Sequence, residues 1–529
     1  MDELIIQRSQ PLTGLPSLSP EPSVVLSKTF ATPFQNAIAT ARTCYSSKGI
    51  VRDEQITEKN YPLAQSVYHA GHHTVFTHAY FQFELANISR QFIWSFLHSH
   101  PYYNSEQVSQ RYVSIKKDAF LTPPLTGEAL RVYRNTLDLQ IAAYDRLNEK
   151  LKPVAEEAYF KRFPSRLKVK EKYDGEIRKK CQEIARYVIP VAALAYMYHT
   201  VSGLTLLRYY RLANQYDTPT EQKIVIEKMV HELVKVDPLY KVILQEELPI
   251  EDTPEYRFFM ANRSYYDTNS QRAFLDEFDA SLDGRMSKLV DYKQGNESIL
   301  AQSVREVLGM TRAHLSDEEA IRLAIDPSKN PLFAESLNLT TLSKISRAMV
   351  HPHYTFRKKI SHTADSQDQR HRMTPASRPA LLAHWSDSPD YITPALIRQD
   401  ADIQKMYDET MSRSWEGMKK LRALGVPEEF TLYLLPNATS VRFTESADLL
   451  NLHHKMAMRL CYLAQEEIWR ASVDEAEQIT AINPVIGRYL LPPCGIRHLA
   501  DIRPYCPEGA RFCGERVWTY SLDQYTRTI

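Results

Sequence analysis

Two stretches of this chain are versions of one another, and nothing else in the sequence limits its fold as strongly. From His78 the chain reads HAYFQFELANISRQFIWSFLHSH, and from His351 it reads HPHYTFRKKISHTADSQDQRHR. Each stretch runs from a histidine through alternating aromatic residues to Ile-Ser, then into a segment of helical character. Phe81, Phe83 and Leu85 alternate as in a half-buried strand, as do Tyr354 and Phe356. Ser89 and Ser361 then fall where a helix N-cap is expected. A second pair lies downstream, where ARYVIP (185–190) and LYLLP (432–436) each precede a long helical stretch. The spacing sets Leu97 opposite Arg370, Arg186 opposite Leu432, and Ala213 (or Gln215) opposite Arg459. The chain therefore divides into homologous halves, 24–270 and 295–529, after an extension (1–23) and across a polar linker (271–294).

Composition narrows the function. A net charge of +1 over 529 residues argues against a nucleic-acid binder that works by bulk charge. Neither a signal pattern nor an apolar run of spanning length is present, so the expectation is a cytoplasmic protein without a membrane partner. Six cysteines in this length do not make a disulfide framework. No GxGxxG or GxxxxGK[ST] run occurs among the 15 glycines, which argues against Rossmann and P-loop sites. In so neutral a chain, the Arg370-His371-Arg372 cluster before a Pro-containing turn reads either as a basic helix end or as a site for a phosphorylated ligand.

The motifs decide between these. The first half carries GHHTVFTH, ISRQF and NSEQVSQRY; the second carries QDQRHR, LPNATSVRF and MRLCYLAQEEI. Together they resemble the flavin-dependent thymidylate synthases, with their GHxSxxEH, RHRxxSxNExSxRY, LPxxxYTRF and LRxxxxAQxEI patterns. The resemblance implies an α/β (α+β) fold of two homologous thymidylate-synthase-complementing-type domains, each a sheet flanked by long helices, forming an intrachain pseudo-dimer. Two such chains would pair as a homodimer that reproduces the family's tetramer. It implies an FAD-dependent methyltransferase converting dUMP to dTMP with methylenetetrahydrofolate and NADPH. A catalytically silent nucleotide- or flavin-binding paralogue, and an enzyme modifying another pyrimidine nucleotide, are the alternatives.

Carried over residue by residue, the second half keeps Gln367, Arg370, His371, Arg372 and Arg459, but its loop MTPASRPALL lacks the family's Glu, Ser and Arg. The first half has lost the Arg-His-Arg (Leu97, His98 and Ser99 stand there) and the late Arg, yet keeps Glu106, Ser109, Arg111 and Arg186. The losses are complementary, as expected if fused subunits share one composite dUMP site. By resemblance Gln367, Arg370, Glu106, Ser109, Arg111 and Arg186 bind dUMP, and Arg459 is the catalytic cation beside the uracil. Arg370, His371, Arg372, His72, Thr74 and Glu106 would meet FAD, although Thr77 stands where the family has Glu. The chemistry suits the residues: guanidinium groups offer fixed, planar donors to phosphate, and one near the uracil edge stabilises charge developing in the ring.

The tail, PPCGIRHLADIRPYCPEGARFCG, falls outside this resemblance. Cys494, His498, Cys506 and Cys513 have the donor types of a structural zinc site, and reduced, partly buried thiols are the alternative.

Overall fold

The computed structural model describes residues 17–97, 101–113, 115–214, 219–262 and 268–527. The chain forms two compact units, and neither is a contiguous half. The first comprises Met1–Ile141, Ile189–Tyr266 and Arg413–Leu435; the second comprises Ala142–Val188, Asp267–Ser412 and Pro436–Ile529.

In the first unit, β1 (Ser23–Thr29), β2 (Tyr80–Ser89), β3 (Tyr103–Gln107) and β4 (Leu194–Ser202) form one antiparallel sheet in the order β1-β2-β4-β3. Its helices include α1 (Arg90–Leu97), the first part of α2 (Gly127–Arg162), α3 (Gly203–Arg211) and α4 (Pro219–Val236). The inward residues of β2, Phe81, Phe83 and Leu85, pack with Phe34, Val201 and Met229 as the period-two pattern requires.

In the second unit, α5 (Thr268–Ala280) precedes a sheet of β5 (Ser287–Tyr292), β6 (His353–Ser361), β7 (Ala376–Ser377) and β8 (Ser440–Asp448) in the order β5-β6-β8-β7. Its helices also include α6 (His362–Asp368), α7 (Ala401–Ala423, partly), α8 (Leu449–Arg459), α9 (Glu466–Ile482) and α10 (Pro493–Leu499). The stretch expected as a linker carries most of α5 and the edge strand β5. The two sheets share their strand order and much of their register: Phe83 faces His199 as Phe356 faces Glu445, and Glu106 faces Tyr198 as Ser377 faces Thr444.

One irregularity corrects the sequence pairing. Strand β2 has a bulge between Ala86 and Ile88, with Asn87 at φ 55°, whereas β6 runs on without one. A bulge inserts one residue. Ser89 and Ser361 are the true equivalents, each capping its helix: Phe92 N–H donates to Ser89 Oγ (2.9 Å) and Ala364 N–H to Ser361 Oγ (3.1 Å). Counted from these caps, Arg370 pairs with His98, not Leu97; His98, Ser99 and Gln215 lie outside the described residues.

The exchange of segments has a local cause, repeated in each unit. In the first, the buried Glu221 carboxylate accepts from Ser89 N–H (2.7 Å), Ser89 Oγ (2.6 Å) and Tyr433 Oη (2.6 Å). Residues 413–435 are also held by the backbone, since Ala192 N–H donates to Tyr433 O and Val191 N–H to Leu435 O. In the second unit Glu467 accepts from Ser361 N–H, Ser361 Oγ (2.6 Å) and Tyr187 Oη (2.5 Å), and Ala438 N–H donates to Tyr187 O. The tyrosine of each node comes from the opposite half of the sequence, which is why pattern reading drew contiguous domains. Burial raises the Glu221 and Glu467 carboxyls, and these donors oppose that rise. Tyr433→Phe or Tyr187→Phe is therefore expected to cost about 1–3 kcal/mol, read as a lowered thermal midpoint, because a buried carboxylate loses a donor.

Candidate functional site

The second unit gathers the cationic residues around the end of α6 and the end of α8. Helix α6 ends at Asp368, and a tight turn follows in which His371 N–H donates to Asp368 O. Arg459, the last residue of α8, donates from Nε to His371 Nε2 (2.8 Å) and from Nη2 to Gln367 O (2.7 Å). Burial first, then the charges of Arg459 and Lys455, hold the His371 imidazole well below its usual range. His371 is therefore neutral at pH 7 and serves as an acceptor, not a third cation. The ring of His454 lies edge-on to it at 6.1 Å. Arg370 is half-buried and Arg372 exposed. The Gln367 amide nitrogen is buried and without a hydrogen-bond partner, which fits a polar ligand group at this place.

Arg186 also belongs to the second unit, buried, with Nε donating to Glu183 O (3.1 Å) and its carbonyl accepting from Asn437 Nδ2 (3.0 Å). Its counterpart Leu432 is buried in the first unit.

The remaining expected residues are in the first unit. Glu106 is exposed on β3, and Ser109 Oγ accepts from Arg111 N–H (3.2 Å) in the turn beyond it. The Arg111 guanidinium lies 5.3 Å from the Tyr112 ring centroid. His72 and Thr74 are exposed at the short turn before β2, where Thr74 O accepts from Thr77 Oγ1 (2.6 Å). Each unit thus holds one of the two complementary residue sets, Arg186 excepted.

Beneath the second unit's cations lies a charged core that sequence reading missed. Lys358 Nζ pairs with Asp368 (3.2 Å), Glu445 (2.8 Å) and Glu475 (2.6 Å). Lys455 Nζ pairs with Asp368 (2.8 Å) and with Glu445. All five side chains are at most 1% exposed. Beside them Arg378 grips Asp365 with two nitrogens at 2.8–3.0 Å. Burial pulls Lys358 down, but the three carboxylates outweigh it and hold the ammonium well above its ordinary range. Burial and then Asp368 push the Glu445 carboxyl up to about 7.

At the equivalent positions the first unit has Leu85, Phe96, His199, Tyr209 and Met229, a buried knot in which Phe96 lies 4.5 Å from Tyr209 and 5.0 Å from His199. The same fold is thus filled once by charge and once by apolar and aromatic surface. The signal in the sequence was Lys358, a charge at an inward position between Phe356 and Ile360.

The Glu445 shift gives a pH dependence. Because its folded pKa is raised from 4.5 to about 7, the folded state holds more protons across that interval. Stability contributed by this group is full below the lower value, falls as pH rises through the window and is flat above it. Glu445→Gln is expected to remove that slope, seen as a changing difference in thermal midpoint between the two proteins over this window.

The expected zinc set is not assembled. His498 is exposed and packs edge-on against Tyr505 at 4.9 Å, and among the described residues no three His, Cys, Asp or Glu side chains stand as a metal-binding group. Nor is any helix among them long and apolar enough to cross a membrane.

Two duplicated α/β units, one retaining a cationic turn and the other an acidic–basic loop, define a class of tandem protein. The sequence profile described as "Thymidylate synthase complementing protein" matches residues 25–239 and 288–485, more than half of the chain, and the chain belongs to that family. Among its relatives, the flavin-dependent thymidylate synthase of Sulfurisphaera tokodaii is 33% identical over 27% of this chain and 56% of its own length. That of Geobacter sulfurreducens is 26% identical over 31% of this chain and 69% of its own. The chain spans little more than half the length of the first of these. Among solved structures, the UMP/dUMP methylase PolB from Streptomyces cacaoi aligns with 42% of this chain and 94% of its own, at 16% identity and a TM-score of 0.31.

Proposed function

We propose that this protein is an FAD-dependent enzyme that methylates dUMP at C5 to give dTMP, using methylenetetrahydrofolate and NADPH. The observation that carries the reading is the Arg459–His371–Gln367 set with its unpartnered Gln367 amide, in a chain whose two segments both match the family. Relatives named flavin-dependent thymidylate synthase support the substrate and the flavin.

In this reading Arg370 and Arg111 take the nucleotide phosphate with Ser109, and Gln367, Glu106 and Arg186 complete its binding. Arg459, already oriented by His371 and the Gln367 carbonyl, meets charge as it develops on the uracil, so little reorganisation is needed at the moment of reaction. His371 leaves the neighbouring cation unopposed because it stays neutral. Arg370, His371, Arg372, His72, Thr74 and Glu106 are the residues proposed to hold FAD, which supplies the redox chemistry when bound. The residues kept by the two halves serve one dUMP site; their complementary losses support this. Two chains are proposed to pair, in a cytoplasmic enzyme.

The test is direct. Protein loaded with FAD and given dUMP, methylenetetrahydrofolate and NADPH should form dTMP and release tritium from C5-labelled dUMP. Flavin-loaded protein that binds dUMP without releasing tritium would be the silent paralogue instead.

A further inference from the structure

The family match ends at residue 485, and the tail beyond it contains half of the chain's six cysteines. All six are reduced, and four of them, Cys461, Cys494, Cys506 and Cys513, line a single small pocket together with Glu508 and Glu515. The four reach it from separate places. Cys461 lies just after α8, Cys494 follows Pro492-Pro493 at the start of α10, and Cys506 sits between Pro504 and Pro507. Cys513 precedes Gly514, whose φ of 97° turns the chain sharply at that point. These turns are held from outside the pocket: Arg162 Nε donates to Glu515 (2.8 Å), and Tyr462 stands edge-on to Tyr525.

Such a gathering calls for an explanation. Thiols do serve as small apolar fillers. Yet the four are only half-buried, and two carboxylates share the lining. We propose that Cys461, Cys494, Cys506 and Cys513 bind one zinc ion as a four-sulfur structural site, with Cys461 taking the place expected for His498. Zinc prefers tetrahedral coordination with Zn–S bonds of about 2.3 Å, and four thiolates make a closed site of the structural kind. The thiols are not drawn in on one centre as they stand, so binding pulls the four turns together. Each thiol loses its proton to solvent as its sulfur bonds the metal, and no oxidation is involved. The ion would clasp the tail to the loop after α8.

Metal titration of the reduced, chelator-stripped full chain tests this. Zinc should bind one per chain, and cobalt in its place should give the thiolate charge-transfer band and visible bands of a four-sulfur tetrahedral site. His498→Ala should leave zinc content unchanged, whereas Cys461→Ser should lower zinc affinity at least tenfold. The cobalt spectrum of the unmodified chain decides the matter even if Cys461→Ser does not fold. Failure to bind either metal, a three-sulfur, one-nitrogen cobalt spectrum, or loss of zinc in His498→Ala would each overturn the proposal.

Discussion

Lys358→Met is expected to destabilise the second unit by about 3–5 kcal/mol, the largest stability effect of any single substitution considered for this protein. Lys358 is fully buried, and its ammonium lies 2.6–3.2 Å from three carboxylates. Removing it leaves the buried Asp368, Glu445 and Glu475 with Lys455 as their ion-pair partner, Arg378 acting from farther off and the Ser287 hydroxyl on Glu475. An uncompensated buried charge costs several times what a surface pair contributes. Part of the loss returns as pH falls, because burial and then Asp368 push the Glu445 carboxyl up to about 7, where it takes a proton readily. Thermal unfolding at pH 8 and pH 5.5 measures both effects, and the deficit should be smaller at the lower pH. The apolar knot of the first unit shows that this fold does not require the charges. What the charges do in the second unit is fix α6 and α8, the two helices that deliver Gln367 and Arg459.

The second large effect falls on activity. Under the proposed function, Arg459→Ala should reduce kcat for dUMP methylation by about 10²–10³, the usual cost of losing a preorganised donor to developing charge. Its Nε and Nη2 are already committed to His371 and to the Gln367 carbonyl, so the guanidinium cannot swing away when substrate arrives. Arg459→Lys should recover little, since an ammonium cannot reproduce two directed planar contacts. Steady-state rates at saturating dUMP check this, with flavin absorbance confirming that the variants retain the cofactor.

The repeat made much of the fold legible. Alternation in HAYFQF and HPHYTF marked β2 and β6, and Ser89 and Ser361 were readable as caps because Ser before an apolar helical run is a local signal. What stayed hidden was non-local. A bulge at Asn87 shifts the pairing by one residue without altering the pattern around it, so Leu97 stood in for His98. Tyr187 and Tyr433 anchor their segments in the unit built mainly from the other half, which no spacing within a half reveals. The cations were legible as motifs, whereas the support beneath them was not. Lys358, Asp368, Glu445, Lys455 and Glu475 meet only when β6, β8, α6, α8 and α9 are packed together. In the tail, donor type alone suggested His498, and only the fold shows Cys461 at the pocket instead.

The central claim is that residues kept by different halves of the chain act on one dUMP. Complementation of a thymidine-auxotrophic strain tests it most directly, with Arg370→Ala and Arg111→Ala introduced separately. The intact protein should restore growth without thymidine, and each single substitution should abolish it at undiminished protein level. Rescue by the intact protein together with rescue by either variant would contradict the shared site.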